Sequence, residues 1–350
     1  MAYRVQTRTR AGTIAAIAGL ALIVAGFALP ALVGRSVILD LFFILTMLTL
    51  AQLWNLLAGY GGLVSVGQQA FVGIGAYAMF AGVILWGWDP VPAILLGGIA
   101  ALILAIPTAF FAFRLAGAYF AIGTWVIAEV TRLLIAQWKA LGGGTGTSLP
   151  REATADIVGV AFLQDLFGVR EAAARDILAY WIALALAVGV TLGIYALMRS
   201  RAGLALAAVR DNTEAARSVG VDTGRLKWQV FLIAAFGTGL CGALIFVQTA
   251  RISPDAAFSV LQWTAYVIFI VVIGGIGTIE GPILGVLIFF ALRQGLADYG
   301  SWYLMILGLI GIAVMLFAPR GLWGLISART GLHLFPVRRR LTVDLEGGKD

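Results

Sequence analysis

The side chains that most often carry enzyme chemistry are scarce in this sequence. Its 350 residues include one histidine, His333, and one cysteine, Cys241. A single cysteine cannot form a cysteine cluster for zinc or an iron–sulfur centre, and no polar residues form a nucleophile with a base or a metal set, so we predict neither a catalytic residue nor a metal site. The run 142–148 is glycine-rich, but it lacks the lysine that holds phosphate oxygens in an ATP-binding loop. We therefore expect this chain to bind no cofactor.

Glu129 and Arg132 are ionisable residues inside an apolar segment, three positions apart. That spacing puts them on one face of a helix. Each alone costs about 3 kcal/mol at the centre of a bilayer on insertion scales, so we predict an intramembrane ion pair in preference to a contact with substrate. No chain of carboxylates or histidines runs through the apolar segments, which argues against a proton-coupled carrier.

Glycine-rich interruptions divide two of the apolar segments, at residues 59–67 and 274–282. Both contain two adjacent glycines, an aliphatic residue and, after one more position, Ser or Thr. Paired interruptions point to a duplicated transporter with broken helices along its pathway, although two ordinary interhelical turns explain them equally well. Backbone amides exposed at a helix start hold a carboxylate. We therefore predict a substrate path lined by Gly61, Gly62, Ser65, Gly67, Gln68, Gln69, Gly274, Gly275 and Thr278.

The segment 199–227, which we call the basic loop, contains more Lys and Arg than Asp and Glu. Asp211 or Asn212 is placed to cap a short helix over 213–219, and Gly220 suits the left-handed residue that ends it. A helix held crosswise between two spans, with small alanines on one face, fits a groove on another protein. A solvated connector between spans accounts for the same pattern equally well.

Composition determines which elements must position these residues. Hydrophobic residues make up 61% of the chain and charged residues 12%, about half the charged share of a soluble domain. Continuous apolar runs of about 20 residues indicate helices that cross a bilayer, whereas outer-membrane barrels show short alternating segments. The 44 glycines indicate close helix packing and broken helices. We predict an all-α polytopic membrane protein with about ten spans, at 12–33, 37–58, 63–86, 91–113, 118–138, 177–198, 228–250, 259–275, 282–297 and 302–318.

Charge placement predicts the orientation of these spans. The N-terminal residues before the first span hold arginines and no acidic residue, and the region after the last span is also basic. The loop 139–176 instead has one more acidic than basic residue. Because cytoplasmic loops are the basic ones, ten crossings put both termini and the basic loop in the cytoplasm and 139–176 outside. The predicted units are a cytoplasmic N-terminus (1–11), a membrane domain (12–325) and a cytoplasmic tail (326–350).

Several motifs resemble a known family. The stretch 214–220, Glu-Ala-Ala-Arg-Ser-Val-Gly, is similar to the Glu-Ala-Ala-x-x-x-Gly loop of the permease subunits of bacterial ABC importers. The segments 55–77, 274–282 and 317–322 resemble, in this order, branched-chain amino acid permeases of the LivM type. The resemblance covers about residues 37–325. Gln68-Gln69 departs from the family, in which a histidine or a small residue is frequent at this point.

The resemblance implies a division of labour. This chain and a sister permease would form the path for branched-chain amino acids, two ATPase subunits would hydrolyse ATP with Mg, and a periplasmic or lipoprotein binding protein would deliver substrate. The implied location is the inner membrane of a bacterial cell, with lipid and without nucleic acid as a partner. A urea or amide permease of the same family, and a self-sufficient carrier or channel, stay open as alternatives. The residues expected to couple to the ATPase are Arg210, Asp211, Asn212, Glu214, Ala215, Ala216 and Gly220.

Overall fold

The structure is a computed structural model, and it describes residues 2–6, 10–155, 157–296, 299–300, 302–332, 334–336 and 340–344. His333, part of the predicted cytoplasmic N-terminus and part of the predicted tail lie outside these ranges. Most described residues belong to helices, as predicted, because a chain in a bilayer satisfies its backbone groups only within helices or closed barrels.

The described ranges contain sixteen α-helices. In chain order these are α1 (Arg10–Ala28), α2 (Arg35–Asn55), α3 (Gln68–Trp86), α4 (Pro90–Ala112), α5 (Ala118–Ala136), α6 (Arg151–Ala155), α7 (Val160–Phe167), α8 (Glu171–Arg199), α9 (Arg201–Asp211), α10 (Thr213–Ser218), α11 (Thr223–Thr249), α12 (Pro254–Ala257), α13 (Tyr266–Gly274), α14 (Glu280–Gly295), α15 (Trp302–Phe317) and α16 (Gly321–Thr330). Short π-helices at Leu56–Tyr60 and Leu261–Ala265 continue α2 and lead into α13. We call residues 59–67, from the end of the first π-helix to the start of α3, the first break, and residues 274–279, from the end of α13 to the start of α14, the second break.

Within the described residues, four short strands pair in two places. They are β1 (Ala2–Gln6), β2 (Thr147–Ser148), β3 (Arg251–Ile252) and β4 (Arg340–Asp344). β1 pairs antiparallel with β4, with Ala2 opposite Asp344, so the two ends of the described chain lie together. β2 pairs antiparallel with β3, with Thr147 opposite Ile252, and this pairing ties the loop after α5 to the end of α11.

The long helices run back and forth between two ends of the molecule. One end, which we call the basic-loop end, holds the basic loop and both breaks. Phe335, shortly before β4, lies there too, because its N–H donates to Glu280 at the start of α14 (2.9 Å) and its ring packs on Tyr195. The other end, which we call the opposite end, holds strands β2 and β3 with the loop 139–176.

The predicted spans each correspond to a helix or a pair of consecutive helices. Two of them are short: α14 has 16 residues, and the first predicted span contains the apolar helical segment Ala16–Ala31. The prediction of about ten spans in an all-α membrane fold is confirmed as an approximate count. In the part of the chain that the structure describes, eight helical segments are by length and composition long and apolar enough to cross a membrane: Arg35–Tyr60, Gln68–Trp86, Pro90–Ala112, Ala118–Ala136, Glu171–Arg199, Thr223–Thr249, Pro254–Gly274 and Trp302–Thr330.

The centre of the bundle is a crossing of α3, α4 and α11 through glycine. A Cβ added at Gly75 would lie 2.7 Å from Cα of Gly239, and one added at Gly97 would lie 2.7 Å from the carbonyl oxygen of Gly75. Helices in a bilayer gain stability from such close packing, since lipid is as apolar as their side chains. Much of the unusual glycine content therefore serves helix contact, which the composition predicted.

Asp89 fixes the start of α4 and the loop at the opposite end. One of its carboxylate oxygens accepts from Val91 N (2.8 Å), which caps the helix at a position followed by Pro90. The other oxygen accepts from Val158 N (2.7 Å) in the loop 139–176. The same carboxylate thus anchors that loop to the helical bundle.

Candidate functional site

The first break is held by side chains from its own neighbourhood. Trp54 Nε1 donates to the carbonyl oxygen of Ser65 (2.8 Å), and Ser65 Oγ accepts from Gly67 N (3.2 Å). Ser65 and Gly67 are both buried. These hydrogen bonds replace some of the backbone bonds that a continuous helix would have made.

The outer part of the first break is open to solvent or lipid. Gly62 and Val64 are exposed, whereas Gly61 is buried. Gly62 has φ +68°, a left-handed conformation that glycine adopts without strain. Val66 N donates to Thr124 Oγ1 of α5 (3.1 Å), which ties the break to a second helix.

Gln68 and Gln69, at the start of α3, lie inside the bundle. Gln68 Nε2 donates to the carbonyl oxygen of Leu50 and to Thr238 Oγ1, each at 3.2 Å. Gln69 forms a short hydrogen bond through its side-chain oxygen with the hydroxyl of Thr264, and its N–H donates to the same hydroxyl (3.3 Å). Both glutamines therefore join helices in this conformation, and their contact with a substrate stays a prediction.

The second break is a place where backbones cross at close range. Gly275 and Gly277 have φ +135° and +76°. Thr278 Oγ1 donates to the carbonyl oxygen of Gly275 (2.8 Å) and accepts from Gly281 N (3.0 Å), so one hydroxyl closes the turn. A Cβ added at Gly274 would overlap the carbonyl group of Gly281. Gly274 thus makes room for α14, and its contact with substrate stays a prediction.

The two breaks are joined by a pair of side-chain amides from α2. Asn55 Oδ1 accepts from Gly277 N, and Asn55 Nδ2 donates to the carbonyl oxygen of Thr278, each at 2.8 Å. Gln52 Nε2 donates to the carbonyl oxygen of Ile279, also at 2.8 Å. Both amides are fully buried, with 0% of their surface exposed. Consecutive residues of the second break are therefore bound by a helix that leads into the first.

Sequence reasoning did not select Gln52 and Asn55 as site residues. A signal was present, because two amides three positions apart in an apolar helix must find buried hydrogen-bond partners on that face. Their partners lie more than 200 positions away in the sequence, as the 2.8 Å contacts to Gly277 and Ile279 show.

In the basic loop, Asn212 caps the short helix α10. Its Oδ1 accepts from Glu214 N and Ala215 N, each at 3.0 Å. The predicted cap at this point is thus confirmed for Asn212, while Asp211 ends the preceding helix α9. Gly220 has φ +86°, the left-handed conformation expected after the end of the helix.

The predicted alanine face of α10 is divided between two sides. Ala216 is buried, whereas Ala215 is exposed, because consecutive residues of a helix are about 100° apart. The outward side also carries Glu214 and Arg217, which form an ion pair at 3.2 Å, and Val219, which is 76% exposed. The surface available to a partner is therefore mixed, with charges beside one exposed apolar side chain.

Arg210 connects the basic loop to the first break. Its Nη1 donates to the carbonyl oxygen of Gly59 at 3.4 Å, near the end of the π-helix, and its Nη2 lies 3.3 Å from Asp211 Oδ1. A Cβ added at Gly277 would lie 3.1 Å from Arg210 Nη1. The guanidinium group therefore lies against both breaks at once.

Glu129 and Arg132 pair with each other on α5, and a third group joins them. Arg132 Nη2 lies 2.6 Å from Glu129 Oε1, and Arg132 Nη1 lies 2.9 Å from Asp255 Oδ1 in α12. Asp255 is far away in the sequence and was not predicted. The three groups link α5 to α12 at the opposite end.

Nothing among the described side chains resembles a metal centre. In that part of the chain, no three His, Cys, Asp or Glu residues are grouped so that they could hold an ion. The glycine-rich run 142–148 forms a turn with Gly142 at φ +81° and the strand β2 at the opposite end.

Comparison with known proteins identifies the class. The family model described as "Branched-chain amino acid transport system / permease component" matches residues 35–318, which include both breaks and the basic loop. The chain belongs to this family. The predicted resemblance is thereby confirmed, and this member of the permease family is a transport component and not a catalytic enzyme.

Relatives of this family member are also named as branched-chain amino acid transport permeases. The high-affinity branched-chain amino acid transport system permease protein LivM of Escherichia coli (strain K12) is 30% identical over 323 residues, 87% of this chain and 73% of the relative. LivM of Salmonella typhimurium (strain LT2) is 29% identical over 321 residues, with the same coverage. A probable LivM protein of Methanocaldococcus jannaschii is 26% identical over 245 residues, 66% of either chain. No solved structure matches the chain.

Proposed function

We propose that this chain is the permease subunit of an ATP-driven importer for branched-chain amino acids. The observation that carries the proposal is the family match over residues 35–318, which contains the breaks and the basic loop in one continuous segment. Two ATPase subunits on separate chains supply the energy. This division agrees with the run 142–148, which lacks a phosphate-binding lysine.

The substrate path in this proposal runs along the first break, between this chain and a sister permease. Exposed Gly62 and Val64 are the parts of the break that a substrate can reach. Buried Ser65 accepts a hydrogen bond from Gly67 within the break, and buried Gln68 binds α2 at the carbonyl oxygen of Leu50. A zwitterionic amino acid needs a partner for its carboxylate, and backbone amides provide one without a buried arginine. Aliphatic walls accept its side chain.

The ATPase subunits in this proposal bind the outward side of α10. Glu214 and Arg217 offer charges there, and Val219 offers an apolar side chain that fits a shallow groove. The basic-loop end is then cytoplasmic, with both termini, as the charge distribution favours. A substrate-binding protein delivers amino acids to the opposite end.

Uptake into vesicles tests this function. The chain is reconstituted with its sister permease, its ATPase subunits and the binding protein, and uptake of radiolabelled leucine is measured with and without ATP. We expect uptake that requires ATP and all partners. Leucine flux through this chain without ATP or partners would instead identify a self-sufficient carrier, and uptake of urea in place of leucine would identify an amide permease.

Matched surface variants test the ATPase contact. Val219→Arg places a charge on the outward side of the basic loop, and Val158→Arg does the same on an exposed valine (66%) at the opposite end. We expect Val219→Arg to reduce co-purification of the ATPase subunits by about tenfold or more and Val158→Arg to leave it unchanged. Equal co-purification of both variants would remove the contact at Val219.

A further inference from the structure

Asn55 stands out because its side chain uses both of its polar atoms on the backbone of one distant turn. Its Oδ1 and Nδ2 bind Gly277 N and the carbonyl oxygen of Thr278, each at 2.8 Å, while Gln52 binds Ile279. A break in a helix leaves such backbone groups without intrahelical partners, and here α2 supplies them. The second break is therefore attached to α2 by directional bonds as well as by packing.

The backbones of the two breaks also touch directly beside Asn55. A Cβ added at Gly59 would lie 2.6 Å from Gly277 N, and one added at Gly277 would lie 3.2 Å from the carbonyl oxygen of Gly59. The Asn55 hydrogen bonds hold the segment around Gly59 and the segment around Gly277 in a fixed position relative to each other. The π-helix at Gly59 and the turn at Gly277 thus form one contact.

Arg210 brings the basic loop to the same contact. Its Nη1 bonds to the carbonyl oxygen of Gly59 at 3.4 Å and lies beside Gly277. Arg210 is two positions before Asn212, the cap of α10, so little flexible chain separates the two. A displacement of α10 therefore reaches Gly59 through the guanidinium group and reaches the second break through Asn55.

We propose that Asn55, Arg210 and Gly59 form a latch through which movement of the basic loop is transmitted to both breaks, with Asn55 as the positioning residue that makes the breaks move together. This inference rests on the proposed function, in which ATPase subunits move α10. Its loss uncouples ATP hydrolysis from transport while the ATPase subunits stay bound and active.

The test compares two buried polar residues of α2. Asn55→Leu removes both amide bonds at similar volume. Thr46→Val is the control, because Thr46 is also buried and its hydroxyl bonds only to carbonyl oxygens of its own helix, at Phe42 (2.9 Å) and Phe43 (3.0 Å). The complete transporter is reconstituted in vesicles, and both the leucine taken up per ATP hydrolysed and the co-purification of ATPase subunits are measured.

For Asn55→Leu we expect normal co-purification of the ATPase subunits and continued ATP hydrolysis, with leucine uptake per ATP reduced by about fivefold or more. For Thr46→Val we expect the same leucine uptake per ATP as in the wild type. A structural role alone lowers the amount of folded protein and leaves uptake per ATP unchanged. An unchanged ratio in Asn55→Leu, measured on a wild-type transporter that is driven by ATP, overturns the latch and leaves the proposed function standing. A wild-type protein that transports without ATP overturns both.

A second pair covers the case in which Asn55→Leu does not fold. Arg210→Ala removes the contact with Gly59 at a partly exposed site, and Arg225→Ala removes an exposed arginine of the same loop. We expect Arg210→Ala to lower uptake per ATP as Asn55→Leu does and Arg225→Ala to leave it unchanged. If leucine uptake per ATP is the same for Arg210→Ala and Arg225→Ala, the latch is overturned.

Discussion

The two breaks lie at the same end of the molecule but are held there by different means. The first break is stabilised by residues close in the sequence, since Trp54 bonds to Ser65 and Ser65 bonds to Gly67. The second break has one polar side chain of its own, Thr278, and depends on α2 and on close backbone crossings. A turn rich in glycine makes few side-chain bonds, so neighbouring elements must supply its stability.

This difference predicts where each break tolerates change. The first break distributes its stability over several side chains, with open space around Gly62. The stability of the second break depends on a few positions, where the packing leaves no space for an additional atom or where one hydroxyl makes two hydrogen bonds. Substitutions of equal size are therefore expected to be more damaging in the second break, which the following pairs test.

The largest expected difference is between Gly274→Ala and Gly62→Ala. A methyl group at Gly274 overlaps the carbonyl group of Gly281, so we expect a loss of about 3 kcal/mol or failure to fold. At Gly62 nothing lies within 4 Å, and only the φ of +68° opposes a side chain, at a cost of about 1 kcal/mol. Unfolding is followed by the reaction of a thiol-specific dye with Cys241, which is buried in the folded protein. Equal losses would show that the breaks are packed alike.

A smaller difference is expected between Thr278→Val and Ser65→Ala. The Thr278 hydroxyl makes two hydrogen bonds, whereas Ser65 Oγ makes one, so we expect losses of about 2 and about 1 kcal/mol in the same thiol assay. The reverse order would contradict the comparison. The Ser65→Ala protein also tests the predicted path, because unchanged leucine uptake at normal insertion would remove the Ser65 side chain from the substrate path.

The smallest effect is expected from Thr124→Val, which removes the bond from Val66 N to α5. Val66 is half-buried, so water replaces part of the lost contact, and we expect a loss of about 0.5 kcal/mol. Thr131→Val on the same helix is the control, since its hydroxyl bonds only to Ile127 O. A loss of unfolding free energy larger than that of Thr278→Val would show that α5 provides most of the stability of the first break.

Much of the fold was predictable because it depends on properties of short segments. Apolar runs gave the helices, and the composition gave the membrane class. The cap at Asn212 follows from the preference of an asparagine side chain for the free amides at a helix start. The glycine interruptions were recognised as breaks, since two adjacent glycines weaken a helix regardless of context.

The candidate site was predicted less completely, because its contacts depend on how distant helices pack. That Gln68 and Gln69 line the path stays a prediction, and the sequence did not indicate that their amides are buried among helices and bonded to Thr238 and Thr264. Asp255 was not predicted because only the packing of α12 on α5 brings it to Arg132. Burial and partnership depend on which face of a helix meets which neighbour, and composition does not specify this.

By itself the sequence determined the all-helical membrane class, the approximate spans, the two glycine breaks and the permease family, because hydropathy, charge and motif are read along a short stretch of chain. The tertiary structure decided which polar residues meet. Asn55 reaches Gly277, and Arg210 reaches Gly59, across intervals of more than 100 positions. Such contacts depend on how all the helices pack at once, and the energy of one segment does not reveal them.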